Sequence, residues 1–263
     1  MIHILQCTLP IQMKIKLRSA YMIKPQVAKQ HDHILFDRIA NICKGNPRVA
    51  ILMSGTGSNT QAILEQRHRY PNLNFAAIAT DELASQASLI ASQYKLSFIF
   101  AKHHDDHPWR TKSFFYDLAD KLRYLNINFL VYAGFMKIVH PAFLIEFPGI
   151  NIHPADLTIK DKIGIPRYRG LGVIQQALVA GERYIASTVH IIEAKTDCGL
   201  VIAISKHLPL ATGIIYNADK LHEELKLKYE HVLYPQVLTL LGSGRLSYDQ
   251  LPLRAEYQDL DIS

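Results

Sequence analysis

Residues 49–59, VAILMSGTGSN, constrain the fold more than any other stretch of this chain. The apolar run 49–53 reads as a strand. It stops at Ser54-Gly55-Thr56-Gly57-Ser58-Asn59, and the helix-like segment TQAILEQRHRY follows at once. A strand, a glycine turn and a helix in succession form the opening unit of an open α/β sheet. The glycines let the backbone approach a ligand closely, and the helix N-terminus offers unpaired N–H donors and a positive dipole end to an anion. Asn59 or Ser58 is the expected cap of that helix. GTGSN is neither the dinucleotide fingerprint nor a Walker loop. Alone it points to a phosphate without saying which, and a ligand-free tight turn is the competing reading.

From Arg48 onward strand-like and helix-like segments alternate. Strands are predicted over 48–54, 74–80, 96–101, 127–134, 150–156, 186–193 and 201–210. Helices are predicted up to Tyr70, then over 82–95, 114–126 and 172–182. A long helix is predicted from Asn217 to Leu241, broken or bent before Pro235. The nearly continuous apolar run INFLVYAG is typical of a parallel strand covered on both faces. The predicted fold is α/β, a doubly wound, mostly parallel open sheet. Residues 1–47 form a separate compositional zone that ends in the breaker-rich Lys44-Gly45-Asn46-Pro47. Within it HDHILFDRIANICK reads as an amphipathic helix carrying Ile34, Leu35, Ile39 and Ile42 on one side. The expected organisation is an N-terminal extension over 1–47, a main domain over 48–250 and a tail over 251–263.

Ligands of such sheets bind beyond the carboxyl ends of strands. The residues of chemical interest stand there: GTGSN after the first strand, AGFMKIVHP after the fourth, NIHPAD at the end of the fifth. Asn151 and His153 have one residue between them, so on a strand they share a face. An amide donor and an imidazole would then converge. The amide suits a developing oxyanion and the imidazole a proton relay. Asp197, in KTDCG, is the candidate carboxylate to orient the imidazole and stabilise its charged form. Each residue alone is more often structural. Their conjunction is what acyl transfer to an amine needs.

Composition narrows the partners. Of 263 residues, 49% are hydrophobic and 20% charged, and the net charge is +6. The basic residues are scattered after the first 30 positions, without the stripe or module of a nucleic-acid binder. Small anionic substrates fit equally well. Cys7, Cys43 and Cys198 are far apart, which argues against a structural disulfide or zinc site. HHDDH (103–107) reads as a solvated loop, because adjacent ligands cannot all reach one ion, and no metal is expected. No apolar run approaches the 18 or so residues of a membrane span. The first 31 residues lack Asp and Glu but are poor in the Arg and Ser of a transit sequence. A cytoplasmic monomer or homodimer is expected.

The order GTGSN, LVYAGFMKIVHPAFL, INIHPADL, ASTVHIIEAKTDCGLVI, EHVLYPQVL resembles the glycinamide ribonucleotide formyltransferase family, from about Arg48 to Tyr248. AGFMKI with NIHP signals the wider superfamily of 10-formyltetrahydrofolate-dependent formyltransferases. GTGSN narrows it to the branch whose amine carries a ribose phosphate. The resemblance implies a Rossmann-like formyltransferase fold, with Asn151, His153 and Asp197 as catalytic residues. It implies an anionic amine substrate, held by Gly55, Gly57, Ser58, Asn59, Gly170 and Glu230. It implies a folate pocket lined by Met136, Lys137, Ile138, Val139, Ile192 and Glu193, with 10-formyltetrahydrofolate as co-substrate. In the implied reaction Asn151 and protonated His153 steady the oxyanion. Arg110 is placed near the folate glutamate tail.

Four departures from the family pattern stand out. ADLTIKDKIGIPRYRGLG is longer and more charged than the family's Leu-Leu-Pro-Lys-Tyr-Pro-Gly-Leu-His. Gly172 stands where the family has a histidine. Lys137 replaces an arginine, and Thr80-Asp81 replaces Ser-Asn. The cations Lys160, Lys162, Arg167 and Arg169 either favour an acceptor more anionic than glycinamide ribonucleotide, with poor turnover of glycinamide ribonucleotide itself, or compensate for the missing histidine at Gly172, or are solvated loop charges. The resemblance makes formyl transfer to glycinamide ribonucleotide, in purine biosynthesis, the leading expectation; the alternatives are the same chemistry on an amino sugar or nucleotide-linked amine, or a silent folate- or nucleotide-binding relative.

Overall fold

The computed structural model describes residues 25–101 and 111–254. Cys7, HHDDH and Arg110 lie outside the described residues. Eight strands form one sheet in the order β10-β8-β7-β5-β4-β1-β2-β3. They are β1 (Arg48–Leu52), β2 (Asn74–Thr80), β3 (Ser97–Phe100), β4 (Phe129–Tyr132), β5 (Gly149–His153), β7 (Thr188–Ile191), β8 (Val201–Ile204) and β10 (Leu253–Arg254). β7 runs against both its neighbours, and the other pairings are parallel. The short strands β6 (Tyr184–Ile185) and β9 (Leu208–Pro209) pair separately. The expected doubly wound, mostly parallel open sheet is therefore the observed one.

The apolar runs are continuous because each strand feeds two cores. Val49, Ile51 and Met53 point to one side of the sheet with Phe129 and Val131. Ala50 and Leu52 point to the other with Leu130 and Tyr132. Successive strand residues face opposite ways, so a strand covered on both faces has no polar alternation. Full burial of each large aliphatic side chain contributes about 1.5–3 kcal/mol.

Helix α1 (Pro25–Lys44) is longer than the sequence reading gave it. Its buried stripe is Phe36, Ile39, Ala40 and Cys43, with Leu35 and Ile42 half-buried, and it joins the core under β1. Ile34, placed on that stripe from the sequence, is exposed. Burial pushes the Cys43 thiol up to about 12, which removes it from thiolate chemistry. Helices α2 (Ser58–Glu65), α3 (Ala87–Tyr94), α4 (Thr111–Tyr124), α5 (Pro141–Glu146), α6 (Val173–Val179) and α7 (Ala218–Leu225) follow. Helix α3 starts five residues later than predicted, because Thr80, Glu82 and Ser85 close a hydrogen-bonded turn first.

The last long helix is interrupted before Pro235, as expected, but not by the proline itself. It loosens upstream, where Lys226–Glu230 winds as a π-type turn, and α8 (His231–Gly242) runs through the proline. The His231 carbonyl, four residues before Pro235, accepts instead from the Gln66 side chain at 3.3 Å. That bond replaces the one the proline cannot make. β10 extends the sheet beyond β8, so residues 253–254 of the expected tail are a strand.

Candidate active site

β1 and β4 lie side by side, and the chain leaves them in opposite directions across the sheet. A cleft of about 990 Å³ opens there, beyond their carboxyl ends. All fifteen site residues named from the sequence line it. They fall into three groups.

The first group is the loop 55–59. Neither Ser58 nor Asn59 caps α2; Gly57 does, in the left-handed region at φ 76°. A Cβ there would stand 2.5 Å from Ile90 Cδ1 and 2.7 Å from Met53 Cε. Only glycine fits both the dihedral and the space. Among the described residues, the N–H groups of Gly55, Thr56, Gly57, Ser58 and Asn59 have no acceptor. Asn59 is buried and its amide donates to Glu230 at 2.6 Å, while Ser187 Oγ–H donates to the other Glu230 oxygen at 2.7 Å. Burial raises the Glu230 carboxyl above its ordinary value, against the lowering effect of these two donors. Both Glu230 oxygens are thus engaged within the protein.

The second group is Asn151, His153 and Asp197. His153 Nδ1 is 3.6 Å from Asp197 Oδ2, and its Nε2–H donates to the Tyr168 carbonyl at 3.0 Å. Asp197 sits at φ 51° and accepts from Gly170 N–H at 2.7 Å. The turn that carries it is tight: a Cβ on Gly199 would meet the Ile191 carbonyl oxygen at 1.9 Å. Burial pushes His153 below its ordinary value, although Asp197 and the Tyr168 carbonyl work the other way. Burial thus favours the neutral imidazole in the resting protein.

His190 completes this group, and the sequence reading passed over it. It faces Asn151 across the β5–β7 pairing. Its Nδ1 is 2.9 Å from the Ile191 carbonyl, which can only accept, so Nδ1 carries the proton and Nε2 is an acceptor. Nε2 then receives one Asn151 amide hydrogen at 3.2 Å. The second amide hydrogen remains for the cleft. Burial pushes His190 down to about 4, against the Asp197 charge. No local sequence signal announced this, because the register that sets His190 opposite Asn151 is a property of the folded sheet.

The third group is the strip Met136, Lys137, Ile138 and Val139 after β4, with Ile192 and Glu193 after β7. Met136 and Ile138 are largely exposed apolar surface. Burial raises the Glu193 carboxyl, with Asp32 of α1 adding to the rise and His31 opposing it. The added N-terminal helix thus reaches the edge of this strip. His222 and Lys226, on one helical side at i and i+4, also line the cleft and were not named from the sequence. Burial and the Lys226 charge bring His222 down to about 4. Lys226 is paired with Glu223 at 2.7 Å.

The long 157–172 segment does not do what its charges suggested. Among the described residues, none from Leu157 to Arg169 lines the cleft. Lys160 donates to the Leu157 carbonyl, Arg167 pairs with Glu182, and Arg169 donates to the Pro166 carbonyl. Asp161 accepts from Ile163 and Ile165 and closes the segment on itself. The segment's contribution to the site is its backbone: Tyr168 C=O holds His153 and Gly170 N–H holds Asp197.

The buried histidines set a pH dependence of stability. Unfolded, they take up protons near 6.5; folded, His153, His190 and His222 resist until lower pH. The unfolded state therefore binds more protons once pH falls below about 6.5, and stability falls with it. Glu230 and Glu193, raised by burial, act in the opposite sense. Urea unfolding is expected to show stability falling from pH 7 to pH 5, with each such histidine contributing up to about 1.4 kcal/mol per pH unit. A flat profile over that range would contradict the neutral, buried imidazoles.

The family model described as formyl transferase matches residues 47–238. A trifunctional purine biosynthetic protein adenosine-3 of Drosophila pseudoobscura pseudoobscura is 31% identical over 232 residues, which cover 85% of this chain and 16% of that protein. The chain thus spans about a sixth of the trifunctional relatives it matches. The phosphoribosylglycinamide formyltransferase of Haemophilus influenzae is 28% identical over 76% of this chain and 89% of its own length. The crystal structure of glycinamide ribonucleotide transformylase 1 from Symbiobacterium toebii aligns with a TM-score of 0.64 at 29% identity, covering 76% of this chain and 89% of that one. With the family model matching well over half its length, this chain belongs to the formyl transferase family.

Proposed function

We propose that this protein transfers a formyl group from 10-formyltetrahydrofolate to the amine of glycinamide ribonucleotide. The observation that carries the reading is one continuous cleft with the Asn151–His190–Asp197–His153 cluster between a loop of unpaired N–H donors and an apolar strip. Such a cleft suits two ligands whose reacting ends meet in the middle. The apolar strip of Met136, Ile138, Val139 and Ile192 suits a flat heteroaromatic ligand, and the loop suits a phosphate.

10-Formyltetrahydrofolate supplies the formyl group. A bond forms between the acceptor nitrogen and the formyl carbon, the bond from that carbon to the donor nitrogen breaks, and one proton passes between the two nitrogens. Asn151 offers its second amide hydrogen to the oxygen that gains charge as the carbon becomes tetrahedral. His190 fixes the orientation of that amide. Neutral His153 can take the acceptor's proton at Nδ1, where Asp197 stabilises the resulting charge while Nε2–H stays on the Tyr168 carbonyl. Returning that proton to the departing nitrogen completes the transfer. These roles are read from position and chemistry, with Gly55, Gly57, Ser58, Asn59, Gly170 and Glu230 on the acceptor side. We read the protein as a cytoplasmic monomer or homodimer whose reaction needs no metal. Among the described residues, no helix is long and apolar enough to cross a membrane.

The case for a more anionic acceptor rested on the loop cations, which stand outside the cleft. Glycinamide ribonucleotide is accordingly expected to turn over efficiently, with kcat/KM of about 10⁴–10⁸ M⁻¹s⁻¹. Steady-state formyl transfer against a panel of anionic amines checks this. Turnover of glycinamide ribonucleotide below that range, with another amine within it, would reassign the acceptor.

A further inference from the structure

Two departures from the family pattern, Asp81 and Lys137, meet each other in space. Asp81 follows β2 and Lys137 lies beyond β4, the two strands that flank β1. The Lys137 ammonium is 3.4 Å from Asp81 Oδ2. The other carboxylate oxygen accepts from the Ser54 hydroxyl at 2.6 Å, and the Ser54 oxygen accepts in turn from Met136 N–H at 3.0 Å. Ser54 directly precedes Gly55, and its own N–H donates to the Gly134 carbonyl at 3.0 Å. The chain Asp81–Ser54–Met136 therefore ties the root of the N–H donor loop to the apolar strip.

The charge placement has a consequence for binding. The Asp81 side chain is only 7% exposed, and Lys137 is 31% exposed. A carboxylate this far out of water is weakly screened. It stands at the root of a loop whose free N–H groups suit an anion, and there it would repel that anion. Among the described residues, Lys137 is the cation within ion-pair distance of it.

We propose that Lys137, although it belongs to the strip assigned to folate, serves the phosphate end of the cleft: it neutralises Asp81 so that a phosphate monoester can seat on the loop 55–59. Asp81 and Lys137 are positioning residues, acting through Ser54 and through charge rather than on the reacting atoms. The inference rests on the formyl-transfer reading for the identity of the two substrates, but the anion it concerns can be probed without turnover.

The test is a double-mutant cycle of K137M, D81N and D81N/K137M, read as separate KM values for glycinamide ribonucleotide and 10-formyltetrahydrofolate. K137M should raise KM for the phosphorylated acceptor about tenfold, the effect of a nearby uncompensated charge, and change KM for the folate less than about threefold. D81N/K137M should bring the acceptor KM back to within about threefold of wild type, a rescue that a merely structural lysine would not allow. K137M acting on the folate KM alone, or a double variant as poor as K137M, overturns the proposal. Calorimetric titration of ribose 5-phosphate into the same four proteins separates this from the wider reading. If wild type transfers no formyl group, that reading fails, yet ribose 5-phosphate should still bind, more weakly to K137M and normally to D81N/K137M. No binding to wild type overturns the proposal as well.

Discussion

Asn151→Ala is expected to lower kcat about 10²–10³-fold, the usual cost of removing an oxyanion donor. His153→Ala is expected to lower it by about 10²-fold or more, as for a positioned acid–base group. Neither change should much alter KM for 10-formyltetrahydrofolate, since the strip 136–139 is untouched. The physical basis is the arrangement of four side chains: His190 holds one amide hydrogen of Asn151, and Asp197 stands 3.6 Å from both imidazoles. Steady-state kinetics of the two variants measures the effects. Equal rates for wild type and His153→Ala would remove the proton relay from the mechanism.

Gly57→Ala is expected to destabilise the fold by about 2–5 kcal/mol. The left-handed dihedral costs an alanine roughly 1–2 kcal/mol, and the new Cβ would collide with Ile90 and Met53, which adds about 1–3 kcal/mol of overpacking. Gly164→Ala is the control. Gly164 is also left-handed, at φ 78°, but has nothing within 4 Å of a built Cβ. It should show the dihedral cost alone. Urea denaturation of both variants gives the difference. Equal losses at the two sites would mean that the residues around Gly57 yield freely, and that the loop is not held by close packing.

The parallel sheet was legible in the sequence because burial on both faces leaves a mark that local residues carry. INFLVYAG has no polar alternation, and β4 indeed contributes to two cores. Asn151 and His153 were legible as a pair because a strand period of two puts them on one face. What failed depended on distant partners. An interruption before Pro235 was expected and stands at Lys226–Glu230, but the helix runs on through the proline because Gln66 supplies the missing donor from across the fold. His190 acquires its place only through an antiparallel pairing that TVHI does not announce. The cations of the 157–172 segment looked functional as a set. The engagement of Lys160, Arg169 and Arg167 with Leu157, Pro166 and Glu182 is a property of the folded loop, not of its composition.

Helix α1 has a bearing on how the chain folds during synthesis. Its apolar stripe lies in the same core as Leu233, Tyr234, Val237 and Leu241 of α8. The Tyr248 hydroxyl donates to the Lys29 carbonyl, 219 positions earlier, and the Tyr248 ring stands 4.7 Å from that of His33. The first described helix is thus completed by residues made 219 positions later. Until they emerge, Phe36 and Ile39 have no permanent cover on that side, and β1 has only part of its core. Closure of so long a loop makes docking of the two ends a late event in folding. A nascent chain stalled before His231 would carry the whole of β1, β4 and β5 and still display an unsealed apolar seam of the kind that chaperones hold.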